Sequence, residues 1–218
     1  MRRFLLLALL AALVALVAAA LAAADATDPK TKITKPDQAH AVASLLRFSD
    51  LGPAWSGAGE TPSTLKIPVC PGDQPNNSDL TLTGHAESYL ELKSEGLQVD
   101  TDVEVFKSAG EVNTLVKRMV TPLLSACLKY DLLKSLGSLG ASLGNVTLLK
   151  LQKVGSHSSD YRVSLKYGGH PIVSDYIFVS QGRTQFFVNV VAPGPLTSQL
   201  LALEDRIAAT LAGRAVKA

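Results

Sequence analysis

The residues with the most chemical potential lie on two stretches of alternating sequence. In the first, residues 81–92 and 97–106 alternate apolar and polar positions with period two, the mark of half-buried strands. A four-residue turn, Lys93-Ser94-Glu95-Gly96, sets Leu92 opposite Leu97, Leu90 opposite Val99 and Ala86 opposite Val103, so the apolar faces coincide. The other face then carries Glu87, Glu91, Asp100, Asp102 and Glu104, with His85 and Tyr89. In this register Glu87 faces Asp102, a like-charge pair that costs roughly 0.2–1 kcal/mol. A face bearing Glu87, Asp100, Asp102 and Glu104 suits a cation or a basic partner. It equally suits a solvated sheet face whose charges blunt edge-to-edge pairing. No calcium-loop motif accompanies it.

The second stretch is the hairpin over 172–180 and 183–191, with its turn placed at Gln181-Gly182. Val173, Ile177, Val179, Phe186, Val188 and Val190 fall on one face. The other face mixes Tyr176, Phe178 and Phe187 with Ser174, Arg183, Gln185 and Asn189. Aromatic rings beside a few polar groups are what a small-molecule cleft uses, and a covering helix would explain the same pattern as core. Tyr176, Phe178, Phe187, Gln185 and Asn189 are therefore the candidate ligand-binding residues, joined by Trp55, the only tryptophan.

Catalytic signatures are missing. His40, His85, His157 and His170 are scattered, with no His-x-x-x-His pair, so no metal site is expected. No His-Glu-x-x-His segment occurs. Gly137, Gly140 and Gly144 lack the Lys-Ser/Thr of a phosphate loop. No catalytic residue and no cofactor is expected, and the chain reads as a non-enzyme.

Helices must hold these strands in place. Thr34 and Pro36 open one that carries Ala39, Val42, Leu45 and Leu46 as an apolar stripe, ending near Gly52-Pro53. Ser108 and Glu111 form a capping box before a wide stripe from Val112 to Leu128, where Pro122 kinks or restarts the helix with Thr121 as a fresh cap. Strands at 146–153 and 160–168 precede the second hairpin, and a last helix spans about 196–212. The order α-β-β-α-β-β-β-β-α predicts an α+β fold, an antiparallel sheet of about six strands with helices packed on it.

Compartment follows from the N-terminus. Arg2 and Arg3 precede an apolar run over 4–24 that ends in Ala22-Ala23-Ala24. This matches a signal peptide with an A-x-A cleavage site, and the run is also long enough for an uncleaved membrane anchor. Either way residue 25 onward lies outside the cytoplasm, secreted or tethered to the membrane by that segment alone. Residues 25–35 read as a tether, 36–212 as one domain and 213–218 as a tail. Without 1–24 the chain holds 19 basic and 19 acidic residues, a balance that excludes a nucleic-acid footprint. Two cysteines in an exported chain are expected to pair, Cys70 in a Pro-rich loop with Cys127 on a helix, the alternative being two buried thiols.

The segments 45–55 (Leu-Leu-Arg-Phe-Ser-Asp-Leu-Gly-Pro-Ala-Trp), Thr83-Gly84-His85-Ala86, 103–109 (Val-Glu-Val-Phe-Lys-Ser-Ala) and Leu123-Leu124-Ser125-Ala126-Cys127-Leu128 resemble actinobacterial extracytoplasmic sensor-domain proteins. This group is similar to the PknH-like extracellular domain of a mycobacterial serine/threonine kinase and, more distantly, to the PsbP-like fold. The resemblance covers most of 36–212. It implies an antiparallel sheet with helices on its faces, a ligand cleft and no enzymatic activity. The kinase-linked domain carries a second disulfide; this chain has cysteines for one, matching Cys70 and Cys127, and it has no kinase domain. The expectation is an exported sensor-like binding module of the cell envelope, taking a small molecule or cell-wall component. The alternative is a protein-interaction scaffold that uses the acidic face.

Overall fold

The hairpin that carries the acidic residues is built on strands β3 (Thr81–Leu92) and β4 (Leu97–Phe106). Its register is the expected one: Leu92 pairs with Leu97, Leu90 with Val99, Glu87 with Asp102 and Ala86 with Val103. Around it, a computed structural model describes residues 27–59, 75–136, 140–194 and 197–217. The signal peptide or anchor over 1–24 lies outside the described residues. Among those described, no helix is long and apolar enough to cross a membrane.

The remaining strands are β1 (Lys30–Thr31), β2 (Ser56–Gly59), β5 (Ser142–Leu149), β6 (His157–Tyr167), β7 (His170–Gln181) and β8 (Thr184–Pro193). The helices are α1 (Lys35–Ser44), the single turn α2 (Phe48–Leu51), α3 (Ala109–Met119), α4 (Leu124–Leu136) and α5 (Ser198–Lys217). All eight strands form one sheet in the order β1-β3-β4-β8-β7-β6-β5, with β2 also pairing β3. This corrects the expected six-stranded antiparallel sheet: among the described residues there are eight strands, and β1 runs parallel to β3. The two additions escaped notice for a physical reason. Lys30–Thr31 is too short to show a period, and Ser56-Gly57-Ala58-Gly59 has no large side chain to alternate. Both attach to the β3 edge through backbone hydrogen bonds, which any sequence can supply.

The expected tether thus contains β1, and α5 continues through 213–217, the expected tail. Pro122 does end a helix: α3 stops at Met119, and Leu124 N–H bonds the Thr121 carbonyl at 3.0 Å as α4 begins. The second hairpin turns at Gly182-Arg183, one residue later than expected, because Gln181 pairs with Thr184. Of the expected Cys70–Cys127 disulfide, Cys70 lies outside the described residues. Cys127 is buried on α4 and is not a free thiol.

Each face of the sheet is covered by its own pair of helices. On the first face, Ala41 of α1 and Leu200, Leu203, Ile207 and Leu211 of α5 pack on Val99, Val103, Ile177, Val179, Phe186 and Val188. On the second, Val112, Leu115, Val116 and Met119 of α3, with Leu124 and Leu128 of α4, pack on Phe106, Tyr161, Val163, Phe178 and Phe187. Fully burying a side chain such as Ile207 stabilises the fold by roughly 1.5–3 kcal/mol.

The first core also encloses charge. Arg162 on β6 faces Asp175 on β7 and bonds it through Nε at 2.7 Å and through Nη2. The same Nη2 reaches Glu204 of α5 at 3.1 and 3.3 Å. Asp160 stands one alternation away on β6, also buried.

Candidate functional site

Opposite that core, the second face divides at β8. Toward β5 it is apolar and helix-covered; toward β3 it holds the acidic row. The strands place Glu104 beside Gln185, Asp102 beside Phe187 and Asp100 beside Asn189. Asn189 in turn pairs with Tyr176, and Phe187 with Phe178. The acidic candidates and the aromatic candidates, read from two separate hairpins, thus share one surface.

Not every candidate joins it. Tyr176 and Phe187 stack at 5.9 Å between centroids, and Phe187 tilts against Phe178 at 4.9 Å. Tyr161 meets Phe178 edge-on at 6.2 Å, so Phe178, 1% exposed, is core behind the site. Trp55 lies in the other core, with α1 and α5, and takes no part in this surface. The face assigned to the other side of the second hairpin (Val173, Ile177, Val179, Phe186, Val188, Val190) packs as a unit in that core.

His85 is the residue that sequence reasoning undervalued. Its position depends on a gap in the sheet edge. β1 pairs β3 at Thr81 and Leu82, and β2 pairs it from Ser88 to Glu91, which leaves the backbone at His85 uncovered. Gln38 of α1 fills the gap: its Nε2 donates to the His85 carbonyl at 2.7 Å, and its Oε1 accepts from the His85 N–H at 3.2 Å. The helix can come this close because Gly84 has no side chain. A Cβ there would run into the Asp37 carbonyl.

So held, the His85 ring aims Nε2 at two carboxylates, Glu87 Oε1 at 3.2 Å and Asp102 Oδ1 at 3.1 Å. One N–H cannot point at both, and Asp102 Oδ1 is sealed from solvent without an aligned hydrogen bond. Asp102 foremost, then Glu87, holds the ring protonated and raises its pKa to about 10. Burial pushes Asp100 up to about 7, with help from the Glu87 charge. Glu104 is raised by burial first and by Asp102 second, and Glu87 is raised by burial as well. Burial, then the Glu91 and Asp100 charges, moves Tyr89 to about 12.

The neighbouring amides add acceptors. Gln185 donates its Nε2 to the Phe186 carbonyl at 2.9 Å, leaving Oε1 buried without a partner. Gln98 on the same face likewise has a buried, unpartnered Oε1. Asn189 spends its Nδ2 on Ser174 Oγ at 2.9 Å and the Asp175 carbonyl at 3.2 Å. The face is therefore rich in acceptors and has one ring as its main donor. Buried acceptors without donors cost roughly 1–3 kcal/mol each, a deficit that a cation or a multi-donor ammonium group would relieve. The other histidines are elsewhere: His40 Nε2 meets Thr184 Oγ1 at 2.9 Å, and His170 is exposed. No protein-family model matches the chain, and no curated protein is similar to it.

Proposed function

We propose that the chain is an exported, non-enzymatic binding module of the cell envelope, of the sensor-like kind, whose second sheet face receives a cationic small molecule or wall component. The observation that carries this reading is the acceptor surplus. Asp100, Glu104, Asp102 and the oxygens of Gln98 and Gln185 lie on one face, beside the stacked rings of Phe187 and Tyr176. Carboxylates next to aromatic faces suit an ammonium group, which gains from both charge and ring. Export, the envelope setting and kinship with PknH-like sensor domains belong to the same proposal. They rest on the N-terminal sequence and the resemblance.

The scaffold alternative needs charges presented outward to a basic protein. Glu87 is only 8% exposed, and a recessed carboxylate suits a small ligand better. Screening amines against matched alcohols by thermal shift tests the reading. Amines should stabilise the wild type and lose that effect in the Asp100→Asn/Glu104→Gln variant. Equal shifts from amines and alcohols would remove the cationic assignment.

A further inference from the structure

We infer that His85, Glu87 and Asp102 form a binding site for a divalent metal ion of the zinc type. One ligand atom from each residue, the imidazole nitrogen and two carboxylate oxygens, falls within 4.8 Å of the others. The Nε2-to-oxygen separations of 3.1 and 3.2 Å are close to the ligand–ligand edge, about 3.3 Å, of a tetrahedron built on zinc bonds of roughly 2.0–2.2 Å. Three protein ligands leave the fourth position to water or to a bound molecule, the pattern of an open zinc site. Mixed nitrogen and oxygen donors favour zinc-like ions over calcium, which takes six to eight oxygens.

The cluster also has features a mere acidic patch lacks. Asp102 Oδ1 is closed to solvent and accepts no aligned hydrogen bond. Glu87 is more than nine-tenths buried, and the His85 ring is the sole cationic partner of either carboxylate among the described residues. Gln185, 3% exposed, carries an unpartnered amide oxygen on the same face, beside Glu104, which lies opposite His85. The His85 backbone is clamped by Gln38, the outer support that keeps a ligand oriented. Binding replaces the proton on Nε2 by the metal and releases that proton to solvent, so no oxidant or co-reactant is involved.

Asp102 belongs to both this site and the ammonium reading, but that reading is tested at Asp100 and Glu104, which are not ligands here, so either can fail without the other. The test uses the whole chain, with Zn²⁺ and then Co²⁺ as the metal. Titration should shift the His85 imidazole ¹⁵N resonance in the wild-type protein and leave those of His40, His157 and His170 in place. Co²⁺ should give visible d–d bands that His85→Asn and Glu87→Gln abolish, with Zn²⁺ affinity falling about 100-fold or more, while His170→Asn changes nothing. Shifts at another histidine, or Zn²⁺ affinity unmoved in the His85→Asn protein, would overturn the site. The wild-type resonance decides the matter even if a variant does not fold.

Discussion

Two charged clusters sit on opposite faces of one sheet, and they are built differently. On the first face Arg162 is gripped by Asp175 and Glu204 with Asp160 alongside, all buried beneath α5. On the second, Glu87 and Asp102 share one imidazole whose side chain is 38% exposed, and Asp100 and Glu104 lie on the same face. A guanidinium is permanently charged and forks onto carboxylates, so Arg162 fastens α5 to β6 and β7, although its Nη1 and Asp160 Oδ1 stay buried without a partner. Histidine is a weaker base with two donors at most. The second cluster is left short of positive charge at the edge that solvent reaches. The difference teaches which cluster is structural and which is open to a ligand.

The largest effect expected from that contrast is at Arg162. Arg162→Met leaves three buried carboxylates without their cation and should cost roughly 3–5 kcal/mol by urea denaturation. His85→Asn at pH 7 should cost about 1 kcal/mol or less. Equal losses at the two sites would erase the distinction.

Next comes pH. Asp100 and Asp160 titrate near 7 in the folded chain against an ordinary 3.8, and Glu104 and Glu204 are also raised above 4.5, all chiefly by burial. The folded state therefore binds more protons than the unfolded state above pH 4, and stability must fall as pH rises through 7. His85 acts in the same direction: its contribution is complete below 6.5 and is lost on approach to about 10. Asp37, lowered by its hydrogen bond to Arg183, acts oppositely and weakens the fold only at acid pH. Melting temperature should therefore be highest at or below about pH 4 and decline as pH rises to 9; a maximum at pH 8 would contradict the burial of these acids.

Smaller, and sharper as a discriminator, is the Asp100→Asn/Glu104→Gln variant. It should flatten the pH 6–8 part of that decline and gain roughly 0.5–2 kcal/mol at pH 8, stability gained where a binding site is given up. Glu204→Gln should instead alter the decline without affecting amine binding. The smallest effect belongs to Gln38→Ala, about 1 kcal/mol, with faster hydrogen exchange at the His85 amide. Unchanged exchange there would mean that the clamp does not hold the edge.

Much of this arrangement is legible in the sequence where side chains alternate. The pairing of Glu87 with Asp102 follows from matching Leu92 to Leu97; of the expected capping box the Ser108 half forms, with Ser108 Oγ accepting from the Glu111 N–H at 3.2 Å, while the Glu111 carboxylate accepts from the Lys107 N–H at 3.1 Å instead of from Ser108. What stayed hidden depends on backbone or on long-range neighbours. β1 and β2 pair through main chain alone, and the union of the acidic and aromatic faces needs β4 beside β8, a neighbour relation that local periodicity does not encode. Arg162, Asp175 and Glu204 come from two strands and a distant helix, and none stands out by spacing. His85 was visible beside the acids, but its role depends on Gln38, 47 residues earlier.

The most direct test is a pair of ¹H–¹⁵N titrations, one with an alkyl diamine and one with the matching diol. The account predicts that the diamine moves the amides of Tyr89, Asp100, Phe187 and Asn189, more strongly at pH 8 than at pH 6 because the raised carboxylates must ionise to bind it. The diol should move none of them. Diamine shifts gathered around Glu204 and α5, or the same response to both molecules, would contradict it.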